Sequence, residues 1–410
     1  MKRVGIIGAG ASGMAAAIAA AENGASVFLF ENKDRVGKKL LLTGNGKCNL
    51  TNVRMGPGFF HSSSDEEALI ESVLRRFGCE DTIMFFGHLG IFTRNREGRI
   101  YPYPETASCV LDALRLELKR LKVKERVLSR VSDIRPLEGG GFELDIKGER
   151  SYTERVDSCI ICSGGKTRSE TGSDGSGYAL ARHLGHRVIR PLPALTGLKS
   201  GLPCFKALSG VRAEAALKLF IDAREAANSS GELQLTDYGI SGICTFDISG
   251  AAVRALDQGR RAVVSLDFMP EFNYAQARTY LKQRFEDLRD RSAVELLNGL
   301  FHKKLNQQLL KLLGIKERTP YSELPEDLSD RLCALVKDFR ADISGYMGYD
   351  RAQVTSGGVA LNEVTEFLES KLCPGLFLAG EVLDVDGVCG GYNLQWAFAS
   401  GIIAGRSSVL

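Results

Sequence analysis

An α/β fold built as two or three domains is predicted by three features of this sequence. At 410 residues the chain is longer than one compact core usually organises. Residues 4–31 run strand, glycine-rich turn, helix, strand. Beyond residue 192 the texture changes to alternating strands and then to leucine-rich helical spacing.

Composition narrows the setting. Hydrophobic residues make up 44% and charged residues 25%, and the formal net charge is +3, a balance that does not point to nucleic acid as a partner. The densest basic stretch, Lys119 to Arg126, reads as a solvated helix end entering a strand. Met1-Lys2-Arg3 before the apolar run Val4 to Ala21 resembles a secretory leader, but Gly5, Gly8, Gly10 and Gly13 break it up. No other run approaches the ~18 apolar residues of a membrane span, so a cytoplasmic protein with no membrane partner is expected. None of the ten cysteines falls in a disulfide framework. Cys159 and Cys162 lie on an apolar strand whose geometry sends their side chains to opposite faces, which argues against a redox pair. The five histidines have no metal-ligand spacing and read as exposed or capping residues; no metal is expected. Nothing in the sequence sets the oligomeric state.

Val4-Gly5-Ile6-Ile7 is a short strand, followed at once by Gly8-Ala9-Gly10-Ala11-Ser12-Gly13 and a small-residue helix that Asn23-Gly24 ends. Ser26 to Phe30 is the next strand, and Glu31 closes it. This is the dinucleotide-binding fingerprint in its full context. Gly8 permits the tight turn, Gly10 lets the backbone approach a pyrophosphate, and Gly13 lets helix and strand pack closely. The first-turn amides at Ala11, Ser12 and Gly13 face the phosphates with the positive end of the helix dipole. Glu31 accepts ribose hydroxyls and disfavours a 2′-phosphate, leaving FAD or NAD(H).

Two further segments favour FAD. Residues 32–52, including Lys38, Lys39 and Asn49, form a polar, glycine-rich stretch suited to wrapping a ligand. Near the other end, a strand runs into Gly380-Glu381. A loop to Gly390-Gly391-Tyr392-Asn393 follows, and Leu394 opens a closing helix. A second helix N-terminus there offers donors to a flavin pyrimidine ring, where reduction places negative charge.

These segments resemble the YhiN/BaiN-like family of FAD-dependent oxidoreductases, some of whose members are described as aminoacetone oxidases. The resemblance also takes in Gly98-Arg99-Ile100-Tyr101-Pro102, Ile161 to Gly165, Gly172 to Gly177, Leu235 to Gly242 and Val354 to Val359, so it runs through nearly the whole chain. Lys47 stands where the family often has Arg, Asp237 where His is common, and Ile243 where Pro is common. The resemblance implies a discontinuous, Rossmann-like FAD-binding domain of residues 1–190 and 350–410. It carries an inserted β-rich domain, 191–272 with 326–349, and a helical subdomain, 273–325. In related flavoproteins the backbone at the Val131 position contacts the adenine. The cofactor-binding candidates are therefore Gly8, Gly10, Ala11, Ser12, Gly13, Glu31, Lys38, Lys39, Asn49, Val131, Gly380, Glu381, Gly391, Asn393 and Leu394.

Only one dinucleotide fingerprint is evident. Either NAD(P)H visits the flavin face transiently, or an organic substrate reduces the flavin directly. Three functions follow: an NAD(P)H-dependent reductase of a conjugated C=C bond, with an oxo-bile acid or steroid-like enone implied by the resemblance; a flavin amine oxidase acting on a small amine such as aminoacetone; and a non-catalytic flavin-binding interaction protein. No residue pair stands out as the catalytic acid or base.

Overall fold

The computed structural model describes residues 1–410. The chain divides into two compact units, residues 1–193 with 353–410, and residues 194–352. The first unit centres on a five-stranded parallel sheet in the order Leu376–Leu378, Ser158–Ile161, Arg3–Ile7, Ser26–Phe30, Lys124–Arg126. Its inner strands are buried apolar runs, as a sheet covered on both faces requires. Strands Arg130–Pro136, Phe142–Lys147 and Tyr152–Val156 form an antiparallel meander.

Two helices decide where this unit can bind anything. The first helix, Ala11–Glu22, follows the first strand, and the closing helix, Tyr392–Ser407, follows the last. The first helix is largely alanine and buried along most of its length. The closing helix presents Gly401 and Gly405 to it. A Cβ on Gly401 would stand 2.3 Å from the Ser12 carbonyl oxygen, and one on Gly405 would stand 2.4 Å from that of Ala16. Both pairs step by four residues in the same direction, so the helices run parallel with backbones in contact. Their N-termini point to the same edge of the sheet. Counted from the paired positions, the closing helix begins eight residues further out, about 12 Å at 1.5 Å per residue.

The second unit is a closed six-stranded barrel with helices. Its strands are Leu198–Ser200, Gly239–Gly242, Arg224–Thr236, Arg212–Ile221, Ala262–Asp267 and Phe339–Tyr346, in that order around the barrel. Closure was not evident from strand patterning, because it depends on pairing between the first and last of these strands. Helix Leu328–Lys337 lies in a stretch read from sequence as part of the β-rich insert. No helix of the chain is long and apolar enough to cross a membrane.

The helix pairing makes a direct prediction. Gly405→Leu should cost about 3 kcal/mol or more, because the obstacle is backbone that cannot step aside. Gly58→Ala, where an added Cβ meets nothing within 4 Å, should stay within about 0.5 kcal/mol. Thermal unfolding of both variants against the parent checks this.

Candidate functional site

The site is built at the carboxyl edge of the parallel sheet, where open α/β folds bind ligands. Gly8 has φ +98°, and a Cβ there would lie 2.6 Å from the Cys162 carbonyl oxygen. A Cβ on Gly13 would lie 1.8 Å from the Gly8 oxygen, so helix and turn are in backbone contact. Gly10, by contrast, faces open space: nothing lies within 4 Å of its missing Cβ. The first intrahelical bond runs from the Met14 amide to the Gly10 carbonyl. The amides of Ala11, Ser12 and Gly13 therefore precede the helical ladder, as anion-binding helix ends require.

Glu31 is buried, and its carboxylate accepts from the Ala9 amide at 3.0 Å and from the Lys33 amide at 2.9 Å. It thus ties the glycine turn to the end of the second strand. Burial raises its pKa above the ordinary value, against the lowering effect of those amides. The Ser129 amide bonds the Glu31 carbonyl at 2.8 Å, which brings Val131 beside this end of the site. Gly172, with φ +110°, crosses over it: a Cβ there would lie 3.2 Å from Glu31 Oε1.

A second cluster joins segments distant in sequence. Lys39 Nζ donates to Glu381 Oε2 at 2.7 Å and to Thr167 Oγ1 at 2.9 Å. Glu381 Oε1 accepts from the Thr355 amide at 2.7 Å. Lys38 stands apart, paired with Asp34. Thr167 and Thr355, both fully buried, were given no role from the sequence, although Gly164-Gly165 lies beside the first and the second falls in the Val354 to Val359 segment of the resemblance. Gly380, with φ +79°, packs so closely on Ser12 that a Cβ would lie 2.5 Å from its hydroxyl, and its amide donates to Ser400 Oγ. The last strand is thereby joined to both helices.

A third group surrounds the start of the closing helix. Gly391 caps it with φ +98°, and a Cβ there would meet the Thr51 oxygen at 2.6 Å and Asn49 Oδ1 at 2.9 Å. Asn49 Oδ1 is buried without a hydrogen-bond partner, so this cradle holds an acceptor waiting for a donor. The Asn393 side chain is spent on the loop: it accepts from the Gly387 amide at 2.9 Å and donates to the Gly387 carbonyl at 2.7 Å. As a cofactor-binding candidate it could therefore offer only main chain, as could Leu394 beside it in the helix's first turn. Upstream, Asp384 is fully buried, and its Oδ2 accepts from the Ser62 and Ser64 hydroxyls at 3.0 and 2.9 Å. Burial pushes its carboxyl above the usual range.

Cys48 beside this group is buried, which pushes its thiol up to about 12 and leaves it inert at neutral pH. His186 corrects the expectation of an exposed or capping residue. It lies beyond helix Ser176–His183, buried, with Nδ1 2.8 Å from Glu363 and Nε2 2.9 Å from the Ser370 hydroxyl.

Two helix N-termini about 12 Å apart along their common direction, an acid at the second strand and a buried orphan acceptor form a cradle that could hold an elongated dinucleotide. The description "HI0933-like protein Rossmann domain" matches residues 2–407. The chain belongs to this family. It is 43% identical, over 100% of its length and 99% of the relative's, to a 3-dehydro-bile acid delta(4,6)-reductase of Clostridium scindens. It is 30% identical, over 98% of both chains, to a ribosomal RNA dihydrouridine synthase of Escherichia coli. A 3-ketosteroid-delta4-(5alpha)-dehydrogenase from Rhodococcus jostii, solved with 4-androstene-3,17-dione, superposes with a TM-score of 0.50 at 14% identity, covering 100% of this chain and 97% of that one. The family and the architecture bear out the α/β, Rossmann-like fold class, and the family with its 43% identical relative bears out the reading as a flavin-binding oxidoreductase.

Two predictions follow from the geometry. Gly10→Val should purify without flavin colour if this turn holds the cofactor, because its side chain would fill the open space beside the glycine turn; the ratio of flavin to protein absorbance reads this. Asp384 tests the buried carboxyl. A raised folded-state pKa means that the folded protein holds the proton more tightly, so stability falls as pH rises from the ordinary carboxylate value through the raised one. Asp384→Asn should gain in melting temperature relative to the parent between pH 4 and pH 8.

Proposed function

We propose that this protein is an FAD-dependent reductase, supplied by NAD(P)H, that saturates a carbon–carbon double bond conjugated to a ketone in a 3-oxo bile acid or related steroid. The observation that carries this reading is the end-to-end 43% identity with the Clostridium scindens bile acid reductase. The site is consistent with it. The amides of Ala11, Ser12 and Gly13 would hold the pyrophosphate and Glu31 the ribose hydroxyls. Lys39, held by Glu381 and Thr167, fixes the wrapping loop. The first turn of the closing helix, with Asn49 beside it, would face the ring and favour negative charge on it. When bound, FAD would supply two-electron hydride chemistry, so that the net change would be hydride from NAD(P)H to the β-carbon of the enone, a proton to the α-carbon, and release of NAD(P)+. A single dinucleotide fingerprint supports transient docking of the nicotinamide rather than a second resident domain.

A second reading rests on the Escherichia coli relative. The uracil ring also carries a C=C bond conjugated to a carbonyl, so reduction of uridine in RNA would use the same hydride chemistry on a different carrier. The test is anaerobic titration of the purified holoenzyme with NADH and NADPH, followed by a 3-oxo-4-ene steroid. Bleaching of the flavin band and product 2 Da heavier per double bond are expected. Flavin that stays oxidised with both nucleotides but is bleached by aminoacetone would make it an amine oxidase instead. Dihydrouridine in treated ribosomal RNA, with no steroid product, would select the second reading.

A further inference from the structure

A short antiparallel sheet leads away from the start of the closing helix. Strand Thr51–Asn52 pairs with Arg99–Pro102, which pairs with Thr93–Arg96. Residues directly opposite one another share a face, as do residues two apart on one strand. Asn52 is opposite Arg99, Arg99 opposite Arg96, and Tyr101 opposite Arg94. One face therefore carries Asn52, Arg99, Tyr101, Arg94 and Arg96, while Ile100 points the other way into the protein. At its inner end the Asn52 amide donates to the Gly390 carbonyl at 2.9 Å, next to the cap of the closing helix. The outer strand lies two strand spacings away, about 10 Å.

At that outer end three cations share one carboxylate. Glu105, in the left-handed region at φ +50°, takes Arg96 at 2.9 Å, Lys47 at 3.2 Å and Arg94 at 3.5 Å. Lys47 closes the loop that leads to Asn49. The Arg94 guanidinium lies 3.9 Å over the Tyr103 ring, and Phe92 packs on that ring at 5.2 Å. Phe92 is nevertheless 72% exposed and Tyr103 52%. Positive charge in excess, beside an apolar aromatic shelf left open to water, fits a ligand that is both anionic and flat.

We propose that this face is the substrate's acid subsite: the carboxylate at the end of a steroid acid binds Arg94, Arg96 and Lys47 in competition with Glu105, while its ring system lies across Tyr101 toward the closing helix. This rests on the proposed steroid reductase activity and names what would distinguish its substrates, an amphipathic body with a terminal carboxylate. Glu105 keeps the cations assembled in the free enzyme and yields them to the ligand.

The test compares 3-oxo-4-cholenoic acid with its methyl ester, identical except for the charge, on the holoenzyme. The Arg94→Gln/Arg96→Gln variant should raise the ratio of KM for the acid to KM for the ester about tenfold, and Arg94→Lys/Arg96→Lys should restore most of it. Glu105→Gln should move the ratio the other way, by several fold, because the competitor is gone. An unchanged ratio in all three variants overturns the proposal. Should neither steroid be reduced, the activity reading fails and calorimetric binding of cholate decides this one separately. Saturable binding lost in Arg94→Gln/Arg96→Gln upholds the acid subsite. Cholate binding indifferent to the arginines, or the arginines serving only an RNA oligonucleotide, overturns it.

Discussion

The backbone contact between the first and the closing helix is the constraint on which the rest of the binding unit depends. Two helices approach this closely only where no side chain intervenes, and Gly401 and Gly405 meet Ser12 and Ala16 where a single methyl would collide with main chain. Because the pairing is parallel, both positive helix ends face the same edge of the sheet, one displaced beyond the other. A single helix end can make a phosphate site; two in line could serve a long cofactor. The ends of the chain, almost four hundred residues apart, are thus one structural device.

Polar contacts then set the surrounding loops. Lys39 and Glu381 are about one-fifth to one-quarter exposed, so solvent screens their pairing and little stability should be credited to it. Their value is geometric. The pair joins the loop after the second strand to the turn after the last, and the Thr167 hydroxyl, at 3.4 Å, and the Thr355 amide donate to the carboxylate from two further segments. Truncating either partner would leave a partly desolvated charge without its counter-ion, which is costlier than the intact pair is beneficial.

Legibility in the sequence follows from the range of the constraint. The glycine fingerprint, the alanine helix and Glu31 lie within one strand–helix–strand unit, where backbone geometry dictates residue type. The helix ends at Asn23 and Gly24 were legible for the same reason. Thr167 and Thr355 were not, since a threonine that anchors a carboxylate looks in sequence like any other threonine. His186 was misread because its partners Glu363 and Ser370 lie about 180 residues away. Barrel closure was illegible on similar grounds: alternation announces a strand but not its neighbour. The use of the Asn393 side chain was not legible, for its partner is main chain of the preceding loop, at Gly387.

The two curated relatives sharpen where specificity must reside. Their names describe carriers as different as a bile acid and ribosomal RNA, yet both align with this chain from end to end. Under the reading proposed above, the hydride chemistry would ask the same of either carrier: a ring, a conjugated double bond and a charge sink at a helix end. Nothing in that core can tell one carrier from the other. Discrimination therefore falls to surfaces that begin at the ring and lead away from it, where single side chains can change without disturbing the helix pair. The sheet from Asn52 to Arg96 is such a surface. Its inner strand is fixed by the Gly390 carbonyl, while its outer strand carries exposed side chains on a short edge that burial does not constrain. Binding energy gathered there orients the substrate without touching the reacting atoms, which is how a remote contact can govern which molecule reacts.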